Sequence, residues 1–224
     1  MDLFYLGIYQ GLMIALPTLF LTFLLDLTSI SYIYRLFKKR NGKELYINSF
    51  YMNIFNHCVL GTLSYTLFTY FFSSHIVKSN YMIIIETCLL LLIQSFGYYF
   101  AHILMHTPKL YFIHKFHHQY SDIVVPMAAN AVSVYEYILA YMFPFILGII
   151  LIGPDRLSLR IAISVVSLAN LCIHTPWLSD FSDRYIPDYL VKTSDHLEHH
   201  RFTLTKYAAP ILNLDYLFKN LFKK

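Results

Sequence analysis

The sequence predicts an all-α integral membrane protein, a bundle of about four to five membrane-embedded helices carrying a cytoplasmic, histidine-rich helical cap. Three observations carry that prediction. Of the 224 residues, 57% are hydrophobic and 13% charged, and the mean hydropathy is +0.51, well away from the averages of a soluble domain. Several apolar runs reach about twenty residues, enough to cross a hydrocarbon core of about 30 Å. Histidines recur at offsets of three and four at the ends of these runs, which places them on common helix faces.

The first span is residues 6–25, interrupted only by small or uncharged polar groups and Pro17. It reads as a span rather than a signal peptide, because no basic residue precedes it and no small-residue cleavage site closes it. Asp26 ends the apolar run, and a helical continuation leads to Arg35, Lys38, Lys39, Arg40 and Lys43, a basic cluster expected to face the cytoplasm. A second span fits residues 50–72, and the short loop of residues 73–80, with Lys78, is expected on the far side. The third span, residues 81–101, returns the chain and delivers it into His102. Glu86 and Gln94 lie within it, and Glu86, close to the predicted headgroup level, is read as solvated there.

Residues 120–130 read as a polar link containing Pro126. Residues 132–153 form a fourth apolar stretch with an expected kink at Pro144, the turn Gly153-Pro154-Asp155-Arg156 breaks it, and residues 157–171 form a fifth. These last two are either full spans or a hairpin that dips into the bilayer. With this parity, fourteen of the seventeen lysines and arginines fall on the cytoplasmic side, all but Lys78, Arg156 and Arg160, and every histidine cluster falls there too. His57, inside the second span, and His75, in the far loop, read as structural or incidental.

The net charge of +4 comes without a basic cluster interleaved with exposed aromatics, so nucleic acid is not an expected partner. Cys58, Cys88 and Cys172 are scattered singly in apolar runs, which argues against a disulfide framework. No internal repeat, low-complexity tract or linker divides the chain. Residues 1–224 are therefore read as one domain, with membrane spans in 1–101 and a histidine region with two further membrane helices in 102–224.

The segment from His102 to His118 holds His102, His106, His114, His117 and His118. The pattern His114-Lys-Phe-His117-His118 returns as His196-Leu-Glu-His199-His200, and His174 lies between the two groups. One His-x-x-His-His pattern arises by chance about once in forty chains of this length and composition, and two in well under one in a thousand. A dense set of neutral imidazoles without partners carries a heavy desolvation cost, so metal ligation is the expected role of all nine. Imidazole suits zinc, copper, iron and nickel, and a single tetrahedral site needs only about four protein ligands. Nine histidines therefore suggest two metals. No cysteine joins the clusters and Cys-x-x-Cys-His is absent, which leaves a histidine-only dinuclear non-haem site.

The order His102-x-x-x-His106, Leu110-Tyr111, His114-Lys115-x-His117-His118, His174, His196-x-x-His199-His200 resembles the fatty acid hydroxylase and sterol desaturase superfamily of membrane non-haem iron oxygenases, over residues 97 to about 222. Within it, His117-His118-Gln119, Ser133-Val134-Tyr135-Glu136, Tyr207-Ala-Ala-Pro210 and Leu214-Asp215 resemble the branch of sterol side-chain hydroxylases that includes cholesterol 25-hydroxylase. The chain departs from common patterns at Ser95 and Ile103, at Cys172-Ile173 and Thr175-Pro176 around His174, and at Asp195, differences that bear on substrate and branch rather than on the metal ligands.

The resemblance implies two iron ions in the nine histidines, with zinc an ion that the purified protein could carry in the same ligands, and dioxygen as co-substrate. No catalytic residue beyond the metal ligands is implied. Metal-bound imidazoles donate their second N–H to an acceptor, and Glu136, Asn170, Asp195 and Glu198 are the candidate acceptors. A lipid substrate, sterol before fatty-acyl, is expected to enter from the bilayer. The chain has no Gly-x-Gly-x-x-Gly fingerprint, so electrons are expected from outside, by resemblance from a b-type cytochrome and its reductase. The membrane would be the endoplasmic reticulum in a eukaryote and the inner membrane in a bacterium. A desaturase begins with the same hydrogen abstraction and stays open. A non-enzymatic metal-binding, transport or scaffolding protein stays open too, although a transporter would place its ligands near mid-span.

Overall fold

The computed structural model describes residues 2–72 and 78–221. Among these, the chain is helical throughout its ordered elements, and its extended segments meet only at an isolated antiparallel bridge between Leu190 and Leu212. The loop residues 73–77, and with them His75, lie outside the described residues, as do Lys223 and Lys224.

Among the described residues, four helices are long and apolar enough to cross a membrane: Leu3–Thr28 (α1), Asn80–Met105 (α5), Val134–Ile152 and Arg156–Ile173 (α9). They correspond to the expected first, third, fourth and fifth stretches. Side chains on their outer faces, among them Leu16, Phe20, Ile150 and Leu151, are each more than half exposed, as lipid-facing residues are. The last two stretches are thus separate helices of crossing length, joined at Gly153, which takes φ +56° to close the helix ending at Ile152.

The expected second span is not among these four. Its residues fall in a helical run made of α3 (Gly42–Ile54), a π-helical segment (Phe55–Gly61) and α4 (Thr62–Phe72). Its hydropathy is lowered by Ser49, Asn53, Asn56, Thr62, Ser64 and Thr66, all buried, so it turns a polar face inward. α1 lies directly on α4. A Cβ added at Gly7 would come 2.7 Å from Thr66 Cα, and one at Gly11 would come 2.8 Å from Thr62 Cα. Gly7 and Gly11 are four residues apart on one face, so the two backbones touch through the small-residue spacing that membrane helices use for close approach.

The third and fourth stretches meet at Pro144. Proline has no N–H for the carbonyl four residues earlier, and that carbonyl, Ala140 O, instead accepts from the fully buried Gln94 Nε2 at 3.1 Å. The helix adjusts by a π-helical segment, Tyr137–Met142, between α7 (Val134–Glu136) and α8 (Phe143–Ile152). Gln94 is therefore a backbone partner inside the bundle.

Two sequence expectations change. Glu86 is 2% exposed, not solvated at the headgroups. It pairs with Lys78 and accepts from Asp155 N and Ser158 Oγ, each at 2.8 Å, so it ties the start of α5 to the start of α9. The polar link of residues 120–130 is likewise buried apart from Ser121 and Asp122, with Val125, Ala128 and Ala129 fully enclosed. Its irregular backbone is satisfied by side chains from three helices, as burial without a ladder requires. Asp26 accepts from Met127 N (3.1 Å) and from Tyr46 OH (2.6 Å). Asn53 donates to Met127 O (2.7 Å), Asn56 to Asn130 O (2.8 Å) and Val132 O (2.9 Å), and Asn170 to Ala129 O (2.6 Å). The polar face of α3 and its π segment thus fastens the link beneath the histidines.

The remaining elements form the cap: α2 (Ile30–Phe37), α6 (Tyr111–His114), α10 (Ser179–Tyr185), α11 (Thr193–Arg201) and α12 (Leu214–Leu221). Ile33, Leu36 and Leu45 pack with Tyr120, Ile123 and Val124, and Tyr98, Met105, Ile113, Ile173 and Leu214 pack together on the other side of the histidines.

Candidate metal centre

Each histidine is delivered by the end of an element. His102 sits in the last turn of α5 and His106 caps it, His114 ends α6, His117 and His118 open the 3-10 turn His117–Tyr120, His174 caps α9, and His196, His199 and His200 lie on α11. All nine are at most 8% exposed. The structure gathers them into two groups whose ligand atoms lie within 4.8 Å of one another: His102, His106, His114, His118 and His199 in one, and His117, His174, His196 and His200 in the other.

The two His-x-x-His-His boxes exchange their middle members. His114 and His118 are four apart and stay together, as neighbours on one helical face, while His117 points into the other group. His196 and His200 do the same while His199 crosses back. Neither group is built from one box, so neither site forms until α11 docks against the segment between α6 and the buried link.

Hydrogen bonds fix the ring orientations. His102 Nδ1 meets Tyr207 O at 2.7 Å, His174 Nδ1 meets Asn170 O at 2.7 Å, and His199 Nδ1 meets Thr205 O at 2.6 Å. A carbonyl only accepts, so each of these Nδ1 atoms carries the proton and the Nε2 lone pair is bare. His114 Nδ1 lies 2.7 Å from Glu136 Oε1, both side chains fully buried. Ser133 arranges that contact: its hydroxyl accepts from Glu136 N (3.1 Å) as an N-cap and donates to Ile113 O (2.8 Å), beside His114.

The Nε2 atoms then converge. His102 and His114 approach to 2.9 Å, His114 and His118 to 3.0 Å, and His102 and His106 to 3.2 Å. In the other group His174 Nε2 lies 3.0 Å from His196, 3.2 Å from His117 and 3.3 Å from His200. His174 offers one lone pair to three neighbours, and His199 Nε2 is buried with no partner. Protons do not resolve this crowding. Burial, reinforced by the neighbouring imidazoles, pushes His106 down to about 3, and burial pushes His174 and His199 down to about 4. It also holds His117, His118, His196 and His200 below the usual histidine range. A buried set of neutral rings aiming lone pairs at common points fits a cation at each point.

Of the four candidate acceptors, the structure places two at histidines: Glu136 through its carboxylate and Asn170 through its backbone carbonyl. Asp195 and Glu198 are not acceptors for a histidine. They pair with Lys206 at 2.7 and 2.6 Å, because on α11 they project away from the face that carries His196, His199 and His200. Lys206, in a left-handed conformation at φ +56°, lies between Thr205 and Tyr207, whose carbonyls orient His199 and His102. The two acids therefore pin the loop that supplies those carbonyls. Asp215 does the same from α12, accepting from Ala208 N at 2.7 Å and from Tyr99 OH at 3.2 Å. Backbone acceptors such as Thr205 O and Tyr207 O carry no residue signature, which is why sequence reasoning missed them.

Beneath the second group, toward the membrane, an apolar cavity lies between α1, the α3–α4 run, the second π segment, α8 and α9. Asn130 and Tyr141 belong to its wall, and both contact Asn170 Nδ2, at 3.1 and 3.2 Å. Asn170 in turn orients His174, so one residue separates the cavity wall from the histidines.

A membrane-embedded helical bundle with two buried, all-imidazole metal-binding groups at its helix ends defines a histidine-box membrane metalloprotein. The family model for fatty acid hydroxylases matches residues 87–220, more than half of the chain, and the protein belongs to that family. No curated protein and no solved structure matches it. Family and site together fit an integral membrane oxidoreductase of the di-iron oxygenase type.

Proposed function

We propose that the protein hydroxylates an unactivated C–H bond of a membrane lipid, using dioxygen and external electrons, with two iron ions as its cofactor. The observation that carries this reading is the pair of buried histidine groups of five and four members. Iron in such ligands supplies the dioxygen activation that side chains alone do not perform. The chain's own residues hold the rings neutral and oriented, through Tyr207 O, Thr205 O, Asn170 O and Glu136, and keep bulk water out. His106 and His118, at 8% and 6% exposure, are the least enclosed of the nine, so the aqueous approach is nearest the five-membered group.

Sterols are the first substrate class and fatty-acyl lipids the second. The likeness to sterol side-chain hydroxylases at residues 133–136 and 207–215 supports the sterol branch, although those segments position Glu136, Tyr207 and Asp215 around the metal centre and do not line the cavity. The chemistry needs a separate electron donor, a b-type cytochrome with its reductase, and the positive-inside parity supports histidine clusters facing the cytoplasm, from the endoplasmic reticulum or a bacterial inner membrane. The test is mass spectrometry of lipids from cells expressing the wild type or the double variant His114→Ala, His117→Ala under labelled dioxygen. A labelled hydroxyl on a sterol supports the proposal, loss of two hydrogens without label moves it to a desaturase, and indistinguishable lipid profiles in hosts with a working donor chain overturn it.

A further inference from the structure

The cavity beneath the histidines has a largely apolar wall with unused hydrogen-bonding capacity in it. Among the described residues its wall contains no Lys, Arg, Asp or Glu. Most of its polar groups are already engaged: Ser64 Oγ with Met142 Sδ, Tyr141 OH with Asn170, and Asn56 Nδ2 with Asn130 O and Val132 O. Two buried atoms are not. His57 Nε2 and Asn130 Nδ2 have no partner, and both residues line the cavity. Asn130 is 8% exposed. Asn56, next to His57 in the chain, donates to the carbonyl of Asn130 at 2.8 Å, so His57 and Asn130 border the cavity from adjoining stretches of backbone.

The local backbone singles out the same place. His57 and Gly61 come from one π-helical segment and Tyr137, Tyr141 and Met142 from the other, so both π segments of the described residues border this cavity. Such insertions cost helix regularity and concentrate at functional sites. A buried polar atom without a partner is costly, and the two free atoms are well matched to recover that cost with a ligand. Asn130 Nδ2 only donates, whereas a neutral imidazole Nε2 donates or accepts according to its tautomer. Together they suit one oxygen that accepts from Asn130 and exchanges a hydrogen bond with His57.

We propose that this cavity is a binding site for an uncharged oxygen-bearing lipid, a sterol or long-chain alcohol, whose hydroxyl is read by His57 and Asn130. The site discriminates against ionised head groups, because a carboxylate or phosphate buried here would have no counter-charge in the wall. It discriminates against plain hydrocarbon, because His57 and Asn130 would stay unsatisfied. The proposal rests on the lipid-oxygenase reading and narrows its substrate class, and it makes His57, which the sequence leaves without a role, a specificity-determining residue.

The test is equilibrium binding of tritiated hexadecanol to the purified, metal-loaded protein in detergent, with cholesterol, hexadecane and hexadecanoate as competitors. Cholesterol should compete, and hexadecane and hexadecanoate should compete at least about tenfold less well. His57→Leu should weaken hexadecanol about three- to tenfold, the loss of one neutral hydrogen bond, while His57→Gln, which keeps a donor and an acceptor, should stay within about twofold. Ile163→Phe, which fills the cavity, should weaken every ligand alike. Equal competition by hexadecane or hexadecanoate overturns the proposal, as does hexadecanol binding unchanged in His57→Leu. Should His57→Leu fail to hold metal, the head-group series on the wild type decides alone. No turnover is read, so a protein that binds alcohols but oxidises none would refute the oxygenase reading and leave this one standing.

Discussion

Replacing Glu136 probes how the chain holds one metal-binding group apart from the other. Its Oε1 lies 2.7 Å from His114 Nδ1 and both side chains are fully buried, while no contact runs from Glu136 to a histidine of the four-membered group. In Glu136→Gln the amide oxygen can still accept from Nδ1–H, but a charge-assisted bond of about 1.5–3 kcal/mol becomes a neutral one of about 0.5–1.5 kcal/mol. The difference, about 1–1.5 kcal/mol, is roughly tenfold in affinity. Glu136→Leu leaves Nδ1–H buried without an acceptor, so its loss should reach the upper part of the 10- to 100-fold range typical of such partners. Titration with a competing chelator, monitored by metal analysis, should show two classes of ion in each variant, with one loosened by these factors and the other unchanged. Equal loosening of both classes, or of neither, would refute the assignment of Glu136 to His114 and its group.

Other perturbations test the scaffold. Asn56→Ala removes the donor that satisfies the buried carbonyls of Asn130 and Val132, and should destabilise by about 2 kcal/mol or more, read as a lower melting temperature in detergent with coupled loss of metal. Cysteines placed at Lys39, Lys109 and Lys206 should react with an impermeant reagent from the cytoplasmic side and one at Lys78 only from the other; labelling of Lys39 and Lys109 positions from opposite sides would mean a wrong span count. His174 and His199 fall from the ordinary 6.5 to about 4 on folding, so as pH drops the unfolded chain takes up protons first. Their contribution is complete above pH 6.5 and is lost between about 6.5 and 4, at up to about 1.4 kcal/mol per pH unit for each ring. The metal-free protein should therefore melt at progressively lower temperature across that window, and metal should move the loss to lower pH.

The nine clustered histidines and four of the spans were legible because imidazole spacing and long apolar runs are local properties of the chain. The exchange of His117 and His199 between groups was not, since a His-x-x-His-His box looks self-contained until α11 packs against it. Glu136 was legible as a candidate imidazole acceptor from the resemblance over residues 133–136, but that His114 is the ring it meets was not. Asp195 and Glu198 were misread because closeness in sequence to a ligand says nothing about which face of α11 they occupy. The burial of the link of residues 120–130 was not legible, because Asp26, Asn53, Asn56 and Asn170, which satisfy its backbone, are distant in sequence. Asn53 and Asn56, with Ser49, Thr62, Ser64 and Thr66, also lowered the hydropathy of the run around residues 50–72 and set it apart from the four apolar helices.

The exchange between the two boxes is tested most directly by counting ions in paired deletions. The wild type should hold about two metal ions per chain. His117→Ala with His196→Ala removes two ligands that are far apart in sequence but share the four-membered group, and should leave about one ion. His117→Ala with His118→Ala removes sequence neighbours that belong to different groups, and should loosen both ions. A wild type holding a single ion, or a His117, His196 pair that strips both ions while the His117, His118 pair spares one, would contradict the account.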